Sequence, residues 1–333
     1  MTAVAPAVTR GGTNTGPGPG WGTVRTVLRV HRAALLVWGA LVLGLSGWLV
    51  WLASVTADEG RANQEACERA GRHWCDLTFG TFGFSEPVGW IAVLTAHVFL
   101  AVAAFAGGAL IGRELESGTA HLAWTQGVTP ARWLTAKLAV PALAVALGAT
   151  ALVLVFRWVW TANQDLLWVT GWMQGEVFVA RGPVTVAYAL CALALGVLTA
   201  LLLRRALPAL GVSFAATWLL ALFLADRRAS LWPAASRTSA TQVVDPPDGA
   251  WRLETGAVVH GRRVPNVEFW RCDGKGAEVW RRCLEDNGVT GFYTTYHPES
   301  HFWPLQLVET GVLLAIATVA TAAAYQVLRH RTA

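Results

Sequence analysis

The stretch GRELESGTAHLAWTQGVTPARWLTAK, Gly112–Lys137, lies between two long apolar runs, and its reading decides the fold. Two acids, Glu114 and Glu116, come first, followed by the pair Gly118-Thr119. An amphipathic piece with His121, Leu122 and Trp124 then leads into the polar Thr125-Gln126-Gly127. Thr129-Pro130 predicts the start of a new helix, with Thr as N-cap and Pro as first helical residue. Arg132 and Lys137 flank the next apolar run. The charges and turns of this stretch would be unsatisfied in hydrocarbon. The stretch therefore belongs in the membrane interface or in the water beyond it.

Outward from it, six apolar runs can be traced: Ala33–Val55, Gly89–Gly112, Leu134–Trp158, Pro183–Leu203, Leu207–Ala225 and Trp303–Leu328. Each is near or above the roughly 20 residues that cross a bilayer. Only Arg204-Arg205-Ala206 separates the fourth run from the fifth, so these two form an antiparallel hairpin. Composition agrees. The 333 residues are 54% hydrophobic and 14% charged, where soluble domains carry roughly 25% charged residues. Several of the 18 Trp (Trp90, Trp133, Trp158, Trp160, Trp303) sit at run edges, where aromatic belts form. The net charge of +5 is spread over membrane flanks. No basic helix collects it, which argues against nucleic acid as a partner. The first run begins only after about thirty residues and is too long for a signal h-region.

Residues 1–20, rich in Gly, Pro, Thr and Ala, read as a disordered tail. In residues 21–32, Arg25, Arg29 and Arg32 share one helical face, while Val24, Val27, Leu28 and Val30 lie largely away from it. This pattern predicts an interfacial helix leading into the membrane, with an ordinary basic membrane flank as the plainer reading. Lys and Arg number 11 on the side of the termini, the 113–137 loop and the 204–206 turn, against five in the opposite short loops 56–88 and 157–182. Both termini are therefore expected in the cytoplasm of a multi-pass plasma-membrane protein. The segment 226–302 is too long for that count. It reads as a small extracytoplasmic domain of strands and loops, with strand-like stretches at Val264–Trp270 and Val289–Tyr296. The expected architecture is thus an all-α membrane protein. It has spans 1–5 in 33–225 with the loop 113–133 between spans 2 and 3, the outer domain 226–302, and span 6 with its tail in 303–333.

Four cysteines fall in the outer segments, Cys67, Cys75, Cys272 and Cys283, which suits an oxidising exterior. Four cysteines allow three pairings. The local ones, Cys67–Cys75 and Cys272–Cys283, each close a short loop and are the expected disulfides. Cys191 sits in an apolar run as a small hydrophobe.

Glu116, Gly118, Thr119, Leu122, Thr129, Pro130, Arg132 and Lys137 together resemble the first cytoplasmic loop of ABC transporter permeases of the type-two exporter class. The six-span layout extends that resemblance to most of the chain. It implies that the loop forms a coupling helix docking on a separate ATPase subunit, and that a connecting helix precedes span 1. It further implies a dimer, with itself or with a sister permease, and outward transport of a drug, antibiotic, lipid-like metabolite or peptide. Where the family has a more aliphatic segment, this chain has Ala123-Trp124-Thr125-Gln126.

The chemistry visible in the residues is consistent with a transport subunit without its own ATPase site. A P-loop needs G-x-x-x-x-G-K-[ST]. The nearest stretch, Gly274-Lys275-Gly276, lacks the spacing, so ATP belongs to a partner and no cofactor is expected in this chain. No G-x-S-x-G occurs. Cys272, Cys283, His297 and His301 follow no zinc spacing, so no metal is expected. Three ionisable residues fall inside spans, His97, Arg157 and Glu309, and intramembrane charge marks a candidate translocation path. Glu309 lies roughly 9 Å and His97 roughly 12 Å into their spans at 1.5 Å per residue. Arg157 near the end of its span can snorkel, and a Glu309–Arg157 pair would fit either pathway or structure. Glu114 and Glu116 are the only acids expected on the cytoplasmic side, placed to meet a basic partner surface or simply to flank the membrane. Two other readings compete with transport. One is a membrane sensor or immunity protein whose 226–302 domain binds an extracellular ligand. The other is a membrane enzyme acting at the outer face through scattered His, Asp and Glu.

Overall fold

The computed structural model describes residues 21–71, 80–167, 171–266 and 276–332. Cys75 and Cys272 lie outside these, so the two expected disulfides cannot be placed, and the tail 1–20 lies outside them too. Six helical segments are long and apolar enough to cross a membrane, and they coincide with the six apolar runs to within a residue or are longer. The amphipathic stretch forms α1 (Trp21–Val30), which turns at His31 into α2 (Arg32–Trp51). A π-helical turn, Leu52–Thr56, continues span 1 into α3 (Ala57–Arg69). Span 2 is α4 (Gly80–Phe105), a second π-helical segment Ala106–Gly112, and α5 (Arg113–Glu116). The short α6 (Thr119–Thr125) then crosses to span 3, α7 (Pro130–Ala162). The small helix α8 (Gly175–Ala180) precedes span 4, α9 (Val184–Leu203). Span 5 is α10 (Ala206–Arg227), and α12 (Phe302–Thr332) is span 6.

Span 4 is the axis of the bundle. It is apolar on every side and packs against spans 2, 3, 5 and 6, as a helix hydrophobic all round should. Spans 2, 4 and 5 approach closely because small residues meet there. A Cβ on Gly196 would stand 2.7 Å from that of Ala106, and one on Gly107 would stand 2.7 Å from the carbonyl oxygen of Ala209. Without a hydrophobic drive between helices in lipid, such close packing supplies the association energy. Arg204 takes a left-handed φ of 56° and closes the span 4–5 hairpin. Span 1 is mostly exposed to the surroundings and is tied to span 3 where the Trp38 indole N–H donates to the Ala144 carbonyl at 3.0 Å.

At the end opposite α6, four strands form a sheet: β1 (Ala235–Ser239), β2 (Trp251–Val259), β3 (Arg262–Pro265) and β4 (Val289–His297). The order is β1-β4-β2-β3, with every neighbour antiparallel. The strand expected at Val289–Tyr296 is β4. The one expected at Val264–Trp270 starts earlier, as β3, and residues 267–275 fall outside the described ones. A helix that the strand-and-loop reading did not include, α11 (Ala277–Asp286), buries Leu284 against Ala257 and Phe292. The sheet is fixed to the bundle by the Trp172 indole N–H, which donates to Gly249 O at 2.5 Å. It is also held by His297, whose Nε2 lies 2.9 Å from Ala229 O.

Candidate functional site

Two polar constellations stand out, one at each end of the bundle. At the α6 end, the turn residue Gly118 has φ 74°, a left-handed conformation that glycine adopts without penalty. It redirects the chain from α5 into α6. Thr119 Oγ1 donates to Glu114 O at 3.3 Å. Thr129 caps α7, its Oγ1 accepting from Arg132 N–H at 3.3 Å, with Pro130 in the first turn, as its position in the sequence predicts. On the inner side α6 is anchored by Ala120, which is buried, and by Trp124, whose ring meets that of Trp133 edge-on at 5.7 Å. On the outer side His121 and Leu122 are exposed, Leu122 at 61%, and so is Arg132.

The two acids of this loop are engaged within the chain. Glu114 Oε1 accepts from Lys137 Nζ at 2.5 Å, and its Oε2 accepts from the Trp133 indole at 3.3 Å. Lys137 also lies 2.8 Å from His31 Nε2, at the turn between α1 and α2. Because the ammonium can only donate, this His nitrogen accepts and the ring is neutral. Burial, then the Lys137 charge, hold His31 below the usual histidine range, with Glu114 partly offsetting them. Glu116 Oε2 accepts from the Ala206 backbone N–H at 2.8 Å. That places a carboxylate at the first turn of span 5, where orphan amides and the helix dipole favour negative charge. One loop thus holds three elements: Glu114 ties span 2 to span 3 and, through Lys137, to α1, while Glu116 ties span 2 to span 5.

At the opposite end, Glu309 is fully buried and paired with Arg228, not with Arg157. Arg228 Nε donates to Oε2 at 2.8 Å and Nη2 to Oε1 at 3.0 Å, and Tyr188 O–H donates to Oε1 at 2.8 Å. The Arg157 guanidinium instead stacks over Trp303 at 4.6 Å. The expected pair fails because Arg228, at the end of span 5, reaches the carboxylate with a two-pronged geometry that satisfies both oxygens. His97 Nδ1–H donates to Val93 O at 2.8 Å, and its ring packs on Phe99 and Trp218.

These three span residues belong to one seam of ring contacts. Trp303 packs on Phe302, Phe302 on Phe178, and the Arg228 guanidinium lies over Phe178 at 4.4 Å. Past Glu309 and Tyr188, the Tyr188 ring stacks on Phe99 at 4.9 Å, and Phe99 on His97. Arg157, Glu309 and His97 are therefore linked, but by packed rings. The helix α8 contributes Phe178 and is buried at Val177, Phe178, Val179 and Ala180. Gln306 holds it in place by donating to Phe178 O at 2.5 Å.

Sequence reasoning missed His31, Arg228, Tyr188 and α8. Glu309 in an apolar run does require a partner, but Asp226-Arg227-Arg228 reads as a solvated flank. For α8, the four apolar residues after Glu176 were the available signal. Among the described residues no group of three or more His, Cys, Asp or Glu could hold a metal ion.

Fold and site define a six-span membrane protein with a short structured helix projecting beyond one end of its bundle. Residues 39–227, more than half of the chain, match the family described as ABC-2 membrane transporter related, and the chain belongs to that family. It is accordingly a multi-pass membrane protein of the ABC permease kind. No curated protein and no solved structure matches it.

Proposed function

We propose that this chain is the membrane subunit of an ATP-driven exporter. Its ATPase is a separate polypeptide, and it works as a homodimer or with a sister permease. The loop 113–133 faces the cytoplasm, and the sheet faces the exterior, where the pairs Cys67–Cys75 and Cys272–Cys283 oxidise. The observation that carries the reading is α6, which is anchored from beneath by Ala120 and Trp124 yet presents Leu122 to a partner. An exposed apolar side chain on an anchored helix suits insertion into a groove on that partner.

The geometry supports a direct transmission. A push on α6 loads Glu114 and Glu116, and these are bonded to span 3 through Lys137 and to span 5 through Ala206. Spans 2, 3 and 5 then move as the loop moves, which is coupling through contacts made differently in two states. The seam through His97, Arg157 and Glu309 is the closed outer half of the path. Small molecules, drugs, lipids and peptides all remain substrates of this reading.

The test is co-purification. A C-terminally tagged chain, solubilised mildly from native membranes, should bring along an ATPase subunit with vanadate-sensitive ATP hydrolysis. Leu122→Asp should abolish this while membrane insertion stays normal. A complex that survives Leu122→Asp would refute docking through α6. A chain that purifies alone would favour the sensor reading, to be pursued by ligand binding at the sheet.

A further inference from the structure

Arg181 differs from every neighbouring cation at the sheet end. It is only 7% exposed. Its guanidinium lies over the Trp160 ring at 3.4 Å from the centroid and over the Phe302 ring at 4.6 Å. Its Nε and Nη1 have no hydrogen-bond acceptor. Arg228, by contrast, has both carboxylate oxygens of Glu309, and Arg157 is half-buried and reaches solvent. Burial pushes Arg181 down to about 10, with Arg157 adding to the effect and Glu299 opposing it, so the group is charged at neutral pH.

Rings attract a cation through their faces. They leave the in-plane N–H donors of the guanidinium unmet, and an unmet buried donor is costly. Native proteins carry few such groups, and each calls for a reason. Charge points the same way. The charges that act on Arg181 are Arg157, which opposes it, and Glu299, which is exposed and makes no ion pair with it.

We propose that Arg181 is a receptor for an oxyanion, a phosphate or carboxylate carried on an apolar body that rests on the exposed ring of Trp303. The planar fork of donors is suited to that group, and the ring is suited to the apolar part. Two sources have this chemistry, the headgroup of an anionic phospholipid and a soluble amphiphilic anion. The site goes beyond the permease reading, and binding needs no ATPase, so its failure would leave that reading untouched.

The experiment is thermal unfolding of the purified full chain in detergent, with four probes added in turn: phosphatidylglycerol, phosphatidylcholine, 1-naphthyl phosphate and 1-naphthol. Saturable stabilisation by an anionic probe and not by its neutral or zwitterionic counterpart is expected. Its half-saturation should rise at least tenfold in Arg181→Gln and remain as in the parent in Arg263→Gln, which removes the same charge from the sheet. Stabilisation by phosphatidylglycerol alone assigns the site to lipid, and stabilisation by naphthyl phosphate as well assigns it to a soluble anion. The proposal is overturned if neither anion stabilises the parent chain, or if Arg181→Gln responds as the parent does. Should Arg181→Gln not accumulate, Arg181→Lys supplies the same decision. It keeps the charge but loses the fork, so the anion should bind several-fold more weakly, and an unchanged response overturns the assignment.

Discussion

The two ends of the bundle each hold a carboxylate against a cation, and they hold it differently. Glu309 and Arg228 are sealed, with side chains 0% and 7% exposed, joined by two bonds and a third from Tyr188. Glu114 and Lys137 meet through one bond, and the Glu114 side chain keeps 21% of its surface. The sealed pair has given up water altogether, so any opening must carry both charges together or leave one stranded. The loop pair keeps water on one side, so its carboxylate can exchange partners at modest cost. Rigidity therefore sits at the sheet end and adjustability at the α6 end, the distribution that the proposed coupling through α6 calls for.

The largest effect should come from breaking the sealed pair. Arg228→Ala strands the Glu309 carboxylate in apolar surroundings and should cost about 3–5 kcal/mol, read as a large drop in the unfolding midpoint in detergent. The double variant Arg228→Met with Glu309→Leu should recover most of it. If Arg228→Ala alone is neutral, the two ends do not differ as described. Lys137→Ala removes a charged bond from a partly hydrated carboxylate and should cost less, about 1.5–3 kcal/mol before screening by water reduces it. A loss equal to that of Arg228→Ala would erase the contrast.

The smallest effect distinguishes the ends by pH. His31 is held below its usual value in the folded chain, so the unfolded chain binds a proton first as pH falls. The stability contributed by neutral His31 is complete above about 6.5 and declines below it. His31→Gln keeps an acceptor for Lys137 and should flatten that limb in unfolding midpoints taken between pH 8 and pH 5.5. An unchanged limb would mean that another group sets it.

The spans were legible because hydrocarbon imposes one simple demand, about 20 apolar residues in a row, and each run satisfies it without tertiary information. The helix starts at Thr129-Pro130 and the turn at Gly118 were legible for local reasons of the same kind. Partners across the bundle were not. Glu116 reads as a free acid until the 204–206 turn is brought 90 residues back to meet it. Glu309 needs a cation, and three arginines at that end satisfy the demand equally well on paper. Packing across the bundle brings Arg228 to the carboxylate, and no local pattern in the sequence marks that choice.

The wide turn in span 2 has a further consequence. Across Ala106–Gly112 the backbone bonds reach five residues back, as Arg113 N–H does to Gly108 O, so this segment contains more residues than its length would hold as ordinary helix. Each residue turns an α-helix by about 100°. The wide turn absorbs the surplus locally, so the helix beyond it keeps its bearing; the same residues wound as ordinary helix would turn the acids around the axis, carrying Glu114 away from Lys137 and Glu116 away from Ala206 with every side chain intact. The aim of the loop is thus set by arithmetic along the chain, in a wide turn that lies two to ten positions before the acids it points.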